Sequence, residues 1–300
     1  MGGVRALTTL DAAYAGSRAI NAHHGRTYYL ATRLLPPARR PAVHALYGFA
    51  RVADEIVDNP GVDPAGDLLA LEHALKAAFD GGATGQPVLL ALADTVRRWG
   101  IDQDLFGAFL NSMRMDLTVT DYANLDELAE YTHGSAGVIG LMLLPVLGTV
   151  SPRAEAAPYA AALGEAFQLT NFLRDVGEDL DRGRVYLPAD HLAAFGVDRE
   201  RLTWARTHGP DRPVRRAVAH FAALARAIYR SAAPGIALLD PISRPCVATA
   251  TQLYRAILDE IAKADHDVLT RRAIVPAGRK AAIALPGVAK CALARLTRAS

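Results

Sequence analysis

The chain has 300 residues, of which 51% are apolar and 21% charged, which excludes wholesale disorder and leaves room for one large domain or two ordinary ones. Its 33 basic and 31 acidic residues give a formal net charge of +2, too even a balance for a bulk nucleic-acid binder. Two cysteines, Cys246 and Cys291, cannot staple a chain this size, and Met1 to Leu10 show no apolar signal-peptide core, so a cytoplasmic setting is expected.

In chain order, the pattern predicts helices almost throughout. Val43 to Asp58 places Val43, Leu46, Tyr47, Ala50 and Val57 at helical spacing, with Pro41 just ahead of it. Asp67 to Phe79 follows, stopped by Gly81-Gly82, and then Pro87 to Trp99, stopped by Gly100. Asp102 can cap the next helix, and Asp126-Glu127 open another that reaches Thr132. Gly134 to Pro152 is a run of 19 residues without charge, near the length of a membrane span. Gly134, Gly137, Gly140, Pro145 and Gly148 interrupt it, so a buried, kinked helix is expected instead. Tyr159 to Leu180, Val214 to Ser231 and Cys246 to Leu269 complete the set. Strand signals are weak, and no connection is long enough to be an interdomain linker. The expected fold is a single all-α domain.

Two acidic clusters carry chemistry. Asp54 and Asp58, four residues apart, share a helix face, with Glu55 about a quarter-turn away. Two anions held that close repel one another unless a cation sits between them. In the second cluster Gln168, Asn171, Asp175 and Asp179 form one stripe about three turns long, with Leu169, Phe172 and Leu173 off it. Such a stripe faces either water or a polar cavity. Its carboxylate and amide oxygens are hard ligands suited to Mg²⁺ or Mn²⁺ and, through the metal, to a diphosphate. Arg51 and Arg174 stand beside the acids, ready either to hold phosphate or to form ordinary intrahelical ion pairs. No nucleotide-binding glycine loop and no C-x-x-C is present, and the adjacent His23-His24 diverge on a helix, which excludes a zinc site there.

At these residues the chain resembles the squalene/phytoene synthase family, the head-to-head prenyl synthases, from about His24 to Pro276. Five ordered blocks carry the resemblance: His24 to Tyr29 with Arg33 to Pro36; Ala45 to Arg51 running into D-E-I-V-D; Tyr131 to Gly137; Gln168 to Asp179 followed by Arg182 to Pro188; and Tyr254 to Glu260 ahead of Arg271-Arg272-Ala273. The resemblance implies the isoprenoid synthase fold, a helical bundle around a central cavity. It implies that one prenyl diphosphate ionises and is captured by a second, and that the resulting cyclopropyl diphosphate ionises and rearranges. It further implies metal ligation by Asp54, Asp58, Asp175 and Asp179 with help from Asn171. Arg51, Gln168, Asn171, Arg174 and Arg272 would bind diphosphate substrate, and Tyr47, Tyr131 and Tyr254 would line the reacting centre. His24, Arg26 and Thr27 resemble a flap over the phosphates, and Tyr186 fits the same lid. The uncharged run from Gly134 to Gly148 suits a dry tunnel wall or plain core packing equally.

Position 25 is Gly where many members carry Ser, Glu55 replaces a common Asp, and His133 stands where an aromatic is frequent. The R-G-R-V-Y-L-P and R-R-A blocks favour phytoene synthesis from geranylgeranyl diphosphate. Squalene-type chemistry on farnesyl diphosphate is the alternative, and a Mg²⁺-dependent pyrophosphohydrolase or an inactive assembly partner are the readings from other classes. NADPH is not expected. Residues 1–276 are read as the helical domain and 277–300 as a basic tail. There Arg279, Lys280, Lys290, Arg295 and Arg298 interleave with Ile283, Leu285, Val288, Leu293 and Leu296, which suits peripheral contact with an anionic membrane or a frayed, solvated end.

Overall fold

A computed structural model describes the backbone of residues 9–299 and the side chains of residues 9–288, and among these residues there is no strand. The helices are α1 (Thr9–His24), α2 (Arg26–Thr32), α3 (Arg40–Asp58), α4 (Pro64–Phe79), α5 (Pro87–Trp99), α6 (Asp104–Met115), α7 (Leu125–Thr132) and α8 (Val138–Leu147). They continue with α9 (Arg153–Asp181), α10 (Ala189–Ala193), α11 (Arg199–His208), α12 (Arg212–Ala232), α13 (Arg244–Lys263) and α14 (Ala277–Ala299). A π-helical turn, His133–Gly137, joins α7 to α8, and a 3₁₀ turn, Ala233–Leu238, follows α12.

Local chemistry accounts for most boundaries. Gly100 stops α5 in the left-handed region, at φ 59°. Asp63, Asn124, Asp198 and Asp211 cap α4, α7, α11 and α12, each accepting a backbone N–H three residues on. Asp102 accepts the N–H of Asp104 at the start of α6, although Gln103 holds the cap position. The helix expected over Cys246 to Leu269 ends earlier, at Lys263. Asp265 and His266 turn left-handed there, at φ 53° and 59°. Val268 and Leu269 are buried all the same, so their apolar spacing reports loop residues plugged into the core. Helix α1 gives little sequence signal because its buried face is Ala13, Ser17 and Asn21.

Two large apolar clusters form the core. One joins the second half of α9 to α12, α13 and the segment after α9; the other joins α3, α4, α5, α6 and α8. The charge-free run is the π-helical turn plus α8, with Met142 and Val146 completely buried. Its glycines serve close helix approach: a Cβ on Gly140 would lie 2.1 Å from the carbonyl oxygen of Ala160, and one on Gly164 in α9 would lie 2.3 Å from that of Ala136. No helix among the described residues is long and apolar enough to cross a membrane. The basic tail is helical and packs on α13, burying Ala284 and Gly287. Arg279 joins it to Asp259 and Glu260. The side chains of Lys290, Cys291, Leu293, Arg295, Leu296 and Arg298 lie outside the described residues.

Candidate active site

The C-terminal turn of α3 and that of α9 meet. Asp54 and Asp58 project from α3, and Asp175 and Asp179 from α9. Arg184, just beyond α9, ties the two ends together. Its guanidinium donates to Asp58 Oδ1 at 3.2 Å, to the carbonyl of Val57 at 2.8 Å and to that of Asp116 at 3.0 Å. Arg182 lies 3.9 Å and Arg51 4.0 Å from the other oxygen of Asp58. Asp175 is gripped by both Nε and Nη2 of Arg174, the first at 2.8 Å, and paired at 2.8 Å with Arg272, which also reaches Glu178 at 3.3 Å.

Asp54 and Asp179 have no ion pair among the described residues, and both hold their protons unusually well. Burial pushes the Asp54 carboxyl up to about 7, with repulsion from Asp58 adding and Arg51 opposing. Burial likewise raises Asp179 to about 8, with Asp175 adding and Arg182 opposing. Each still keeps some access to solvent. At both acids burial and the neighbouring carboxylate outweigh the nearby arginines.

The stripe on α9 falls as expected. Helix α9 packs against α8, α12, α13 and the π-helical turn, yet Gln168, Asn171, Arg174, Asp175 and Asp179 all remain half-accessible, while Leu169, Phe172 and Leu173 are buried. The stripe is thus a polar, partly accessible strip along a helix that is otherwise packed on its neighbours. Asn171 donates to Gln168 at 3.3 Å, and its own carbonyl oxygen is buried and accepts nothing; Nε of Arg51 is likewise buried without a partner. An orphaned amide oxygen beside under-neutralised carboxylates is an oxygen-only donor set that fits a hard divalent cation. No three carboxylates or imidazoles among the described residues already close on one point, and guanidinium groups occupy the space between the pairs.

Aromatic rings flank the acids on two sides. Tyr28, Tyr47, Phe167 and Tyr254 form one group, with Phe167 and Tyr254 centroids 4.5 Å apart and Tyr28 5.0 Å from Tyr254. Burial pushes the Tyr47 hydroxyl up to about 12, Tyr254 next among the causes. Tyr122, Tyr131, Phe172 and Tyr186 form the other, with Tyr186 stacked on Phe172 at 4.2 Å. Tyr186, expected in a lid, is thus locked in a buried stack. A small cavity bounded by Phe172, Val176, Asp179, Arg184 and Tyr186 lies beside this group.

The remaining flap residues are looser. His24 and Arg26 are exposed and Thr27 is half-buried. His24 stands near enough to Arg51 for that charge to help hold its pKa down, after desolvation. Gly25 has a packing reason: a Cβ there would lie 2.6 Å from the Tyr47 ring and 2.8 Å from Asn21 Oδ1. Arg51 also takes the ordinary helical role, pairing with Glu55 one turn on.

Three site residues escaped the sequence reading. Arg182 and Arg184 were signalled only by two arginines bracketing Gly183 just past Asp179. Asp116, whose carboxylate accepts the hydroxyls of Tyr131 and Tyr186 at 2.8 Å each, had no sequence signal, since those partners lie 15 and 70 residues away.

Comparison with known proteins agrees with this arrangement. A family model described as squalene/phytoene synthase matches residues 21–279. The phytoene synthase of Arthrospira platensis is 40% identical over 291 residues, covering 92% of this chain and 93% of its own. The 15-cis-phytoene synthase of Synechococcus elongatus is 38% identical, covering 92% of each chain. Among solved structures, a dehydrosqualene synthase crystallised with ligand superposes with a TM-score of 0.85 at 29% identity, over 93% of this chain and 96% of that one. A squalene synthase from Alicyclobacillus acidocaldarius gives 0.78 at 25% identity, over 87% and 97%.

Proposed function

Because the chain belongs to the squalene/phytoene synthase family, we propose that it joins two molecules of geranylgeranyl diphosphate head to head, through a cyclopropylcarbinyl diphosphate, to give phytoene and diphosphate. The observation that carries this reading is the meeting of two acid pairs from α3 and α9 between two aromatic groups.

Asp54, Asp58, Asp175, Asp179 and Asn171 would hold Mg²⁺, with Mn²⁺ as a substitute. Bound there, the metal would neutralise diphosphate oxygens and make diphosphate a good leaving group. The protein's own residues supply the rest. Arg51, Arg174, Arg182, Arg184 and Arg272 are placed to exchange carboxylate partners for phosphate oxygens, which favour bidentate guanidinium contacts. Gln168 orients the Asn171 amide through their hydrogen bond. The faces of Tyr47, Tyr254 and Tyr131 offer negative π-density to an allylic cation without offering it a nucleophile. His24, Arg26 and Thr27 stand at the rim, where they would cover the phosphates. Tyr254 and the group of Tyr122, Tyr131, Phe172 and Tyr186 are buried, which would keep water from a cation held against them.

The helical tail supports a further part of this reading, peripheral contact with an anionic membrane. Leu285 and Val288 are 66% and 52% exposed on α14, and the segment from Ala277 onward carries five basic residues and no acid.

Incubation with geranylgeranyl or farnesyl diphosphate and Mg²⁺, with and without NADPH, followed by lipid extraction, tests the function. Phytoene from the longer substrate without NADPH is expected. Hydrolysis to the free prenol alone, or product only from farnesyl diphosphate with NADPH, would contradict it.

A further inference from the structure

Arg272 reaches Asp175 at 2.8 Å and Glu178 at 3.3 Å from the loop between α13 and α14, and its side chain is 45% exposed. That loop has no regular secondary structure, and it changes course at Asp265 and His266, both left-handed. A long, exposed side chain on such a segment returns to one place only if the backbone beneath it is held.

Two anchors hold it. The first lies within the loop: Asp267 accepts the N–H of Thr270 at 3.1 Å and its hydroxyl at 2.6 Å, while Val268 and Leu269 are buried. The second comes from outside. The carbonyl of Leu269 rests on Gly177 of α9, where a Cβ would lie 2.5 Å from the carbonyl oxygen and 3.3 Å from its carbon. Only glycine lets the loop come this close. Gly177 stands between Asp175 and Glu178 in the chain, so the loop crosses α9 at the turn that carries both partners of Arg272.

The same carbonyl oxygen accepts from the guanidinium of Arg206 in α11. Arg206 also holds both oxygens of Asp181, the last residue of α9, through Nε at 3.1 Å and Nη2 at 2.7 Å. One guanidinium thus ties α11, the end of α9 and the loop together, three residues ahead of Arg272. The pair with Asp181 is exposed and by itself contributes little. The bond to Leu269, a residue 1% exposed, is the part that fixes the loop.

This inference deepens the function proposed above and rests on it. To take a diphosphate oxygen, Arg272 must release Asp175 and Glu178, and from then on its place is set by the loop alone. We propose that Arg206, acting through the Leu269 carbonyl seated on Gly177, is a positioning residue that holds Arg272 over the second acid pair and so sets how tightly diphosphate binds there. Arg206 does not meet the substrate on this account. It removes freedom that Arg272 would otherwise lose on binding.

The test is a double-mutant cycle read by calorimetric titration of inorganic diphosphate, with Mg²⁺ present, into the parent, Arg206→Met, Arg272→Ala and the double variant. Methionine keeps the length of the apolar stem and removes the donors. Arg206→Met should weaken binding by about threefold to tenfold, and the double variant should bind no more weakly than Arg272→Ala alone. A merely structural role would make the two losses multiply, and that result would overturn the inference, as would unchanged affinity in Arg206→Met or in Arg272→Ala. If Arg206→Met does not fold, Asp181→Ala, which frees the same guanidinium from α9, takes its place in the cycle with the same expectations. A parent protein that binds no diphosphate would overturn the reading of the site and this inference with it, whereas tight binding by the parent with no effect at Arg206 removes the inference alone.

Discussion

Asp54 and Asp179 show what it costs to bury a carboxylate without an ion-pair partner among the described residues. Both ionise near pH 4 when the chain is unfolded, whereas the folded protein keeps their protons up to about 7 and about 8. Between those limits the native state binds more protons than the unfolded state, so this contribution to stability is complete at low pH and lost as pH rises. In a chelator-treated sample, the Tm of Asp54→Asn relative to the parent should therefore climb between pH 4 and 8. A constant difference across that range would refute the burial argument. The acids themselves were legible because a four-residue interval on a helix is a geometric statement that needs no fold. Asp116 was not, because its meaning lies in phenols supplied by α7 and by the segment after α9. Arg184 was half-legible: its neighbour Tyr186 stood out, but that the guanidinium would cross to α3 is a fact of packing.

At the level of elements, helix positions were readable from apolar spacing and ends from glycine and aspartate caps. The failures share one cause, burial without the usual pattern. Helix α1 buries Ala, Ser and Asn, and the end of α13 was overrun because Val268 and Leu269 are core residues in a loop. The small residues of the uncharged run fitted either a tunnel wall or tight packing, and the distances at Gly134 and Gly140 give these glycines a packing role. Gly140→Val places carbon against a backbone carbonyl that cannot step aside and should lower stability by about 2 kcal/mol or more, read from the denaturant midpoint. Gly107→Ala, in α6 with open space at its Cβ, should instead stabilise by about 0.5–1 kcal/mol. Equal behaviour of the two variants would remove the close-approach explanation.

For the whole molecule, α9 is the central strut: both aromatic groups and the second acid pair hang on it, and it touches α8, α12, α13 and the π-helical turn. The helical tail lies across α13 with Leu285 and Val288 outward. Leu285→Asp changes an exposed position and should leave activity in detergent intact while reducing sedimentation with anionic vesicles several-fold; unaltered sedimentation would remove the tail from membrane contact. The claim on which everything else depends is that the pairs on α3 and α9 act as one site. Calorimetric titration of inorganic diphosphate, with Mg²⁺ present, into the parent, Asp54→Ala and Asp175→Ala tests it directly. The account predicts tight binding by the parent and a loss of at least about tenfold, 1.4 kcal/mol, from either single substitution. Unweakened binding after removal of either acid would show that the two helices do not hold one ligand between them.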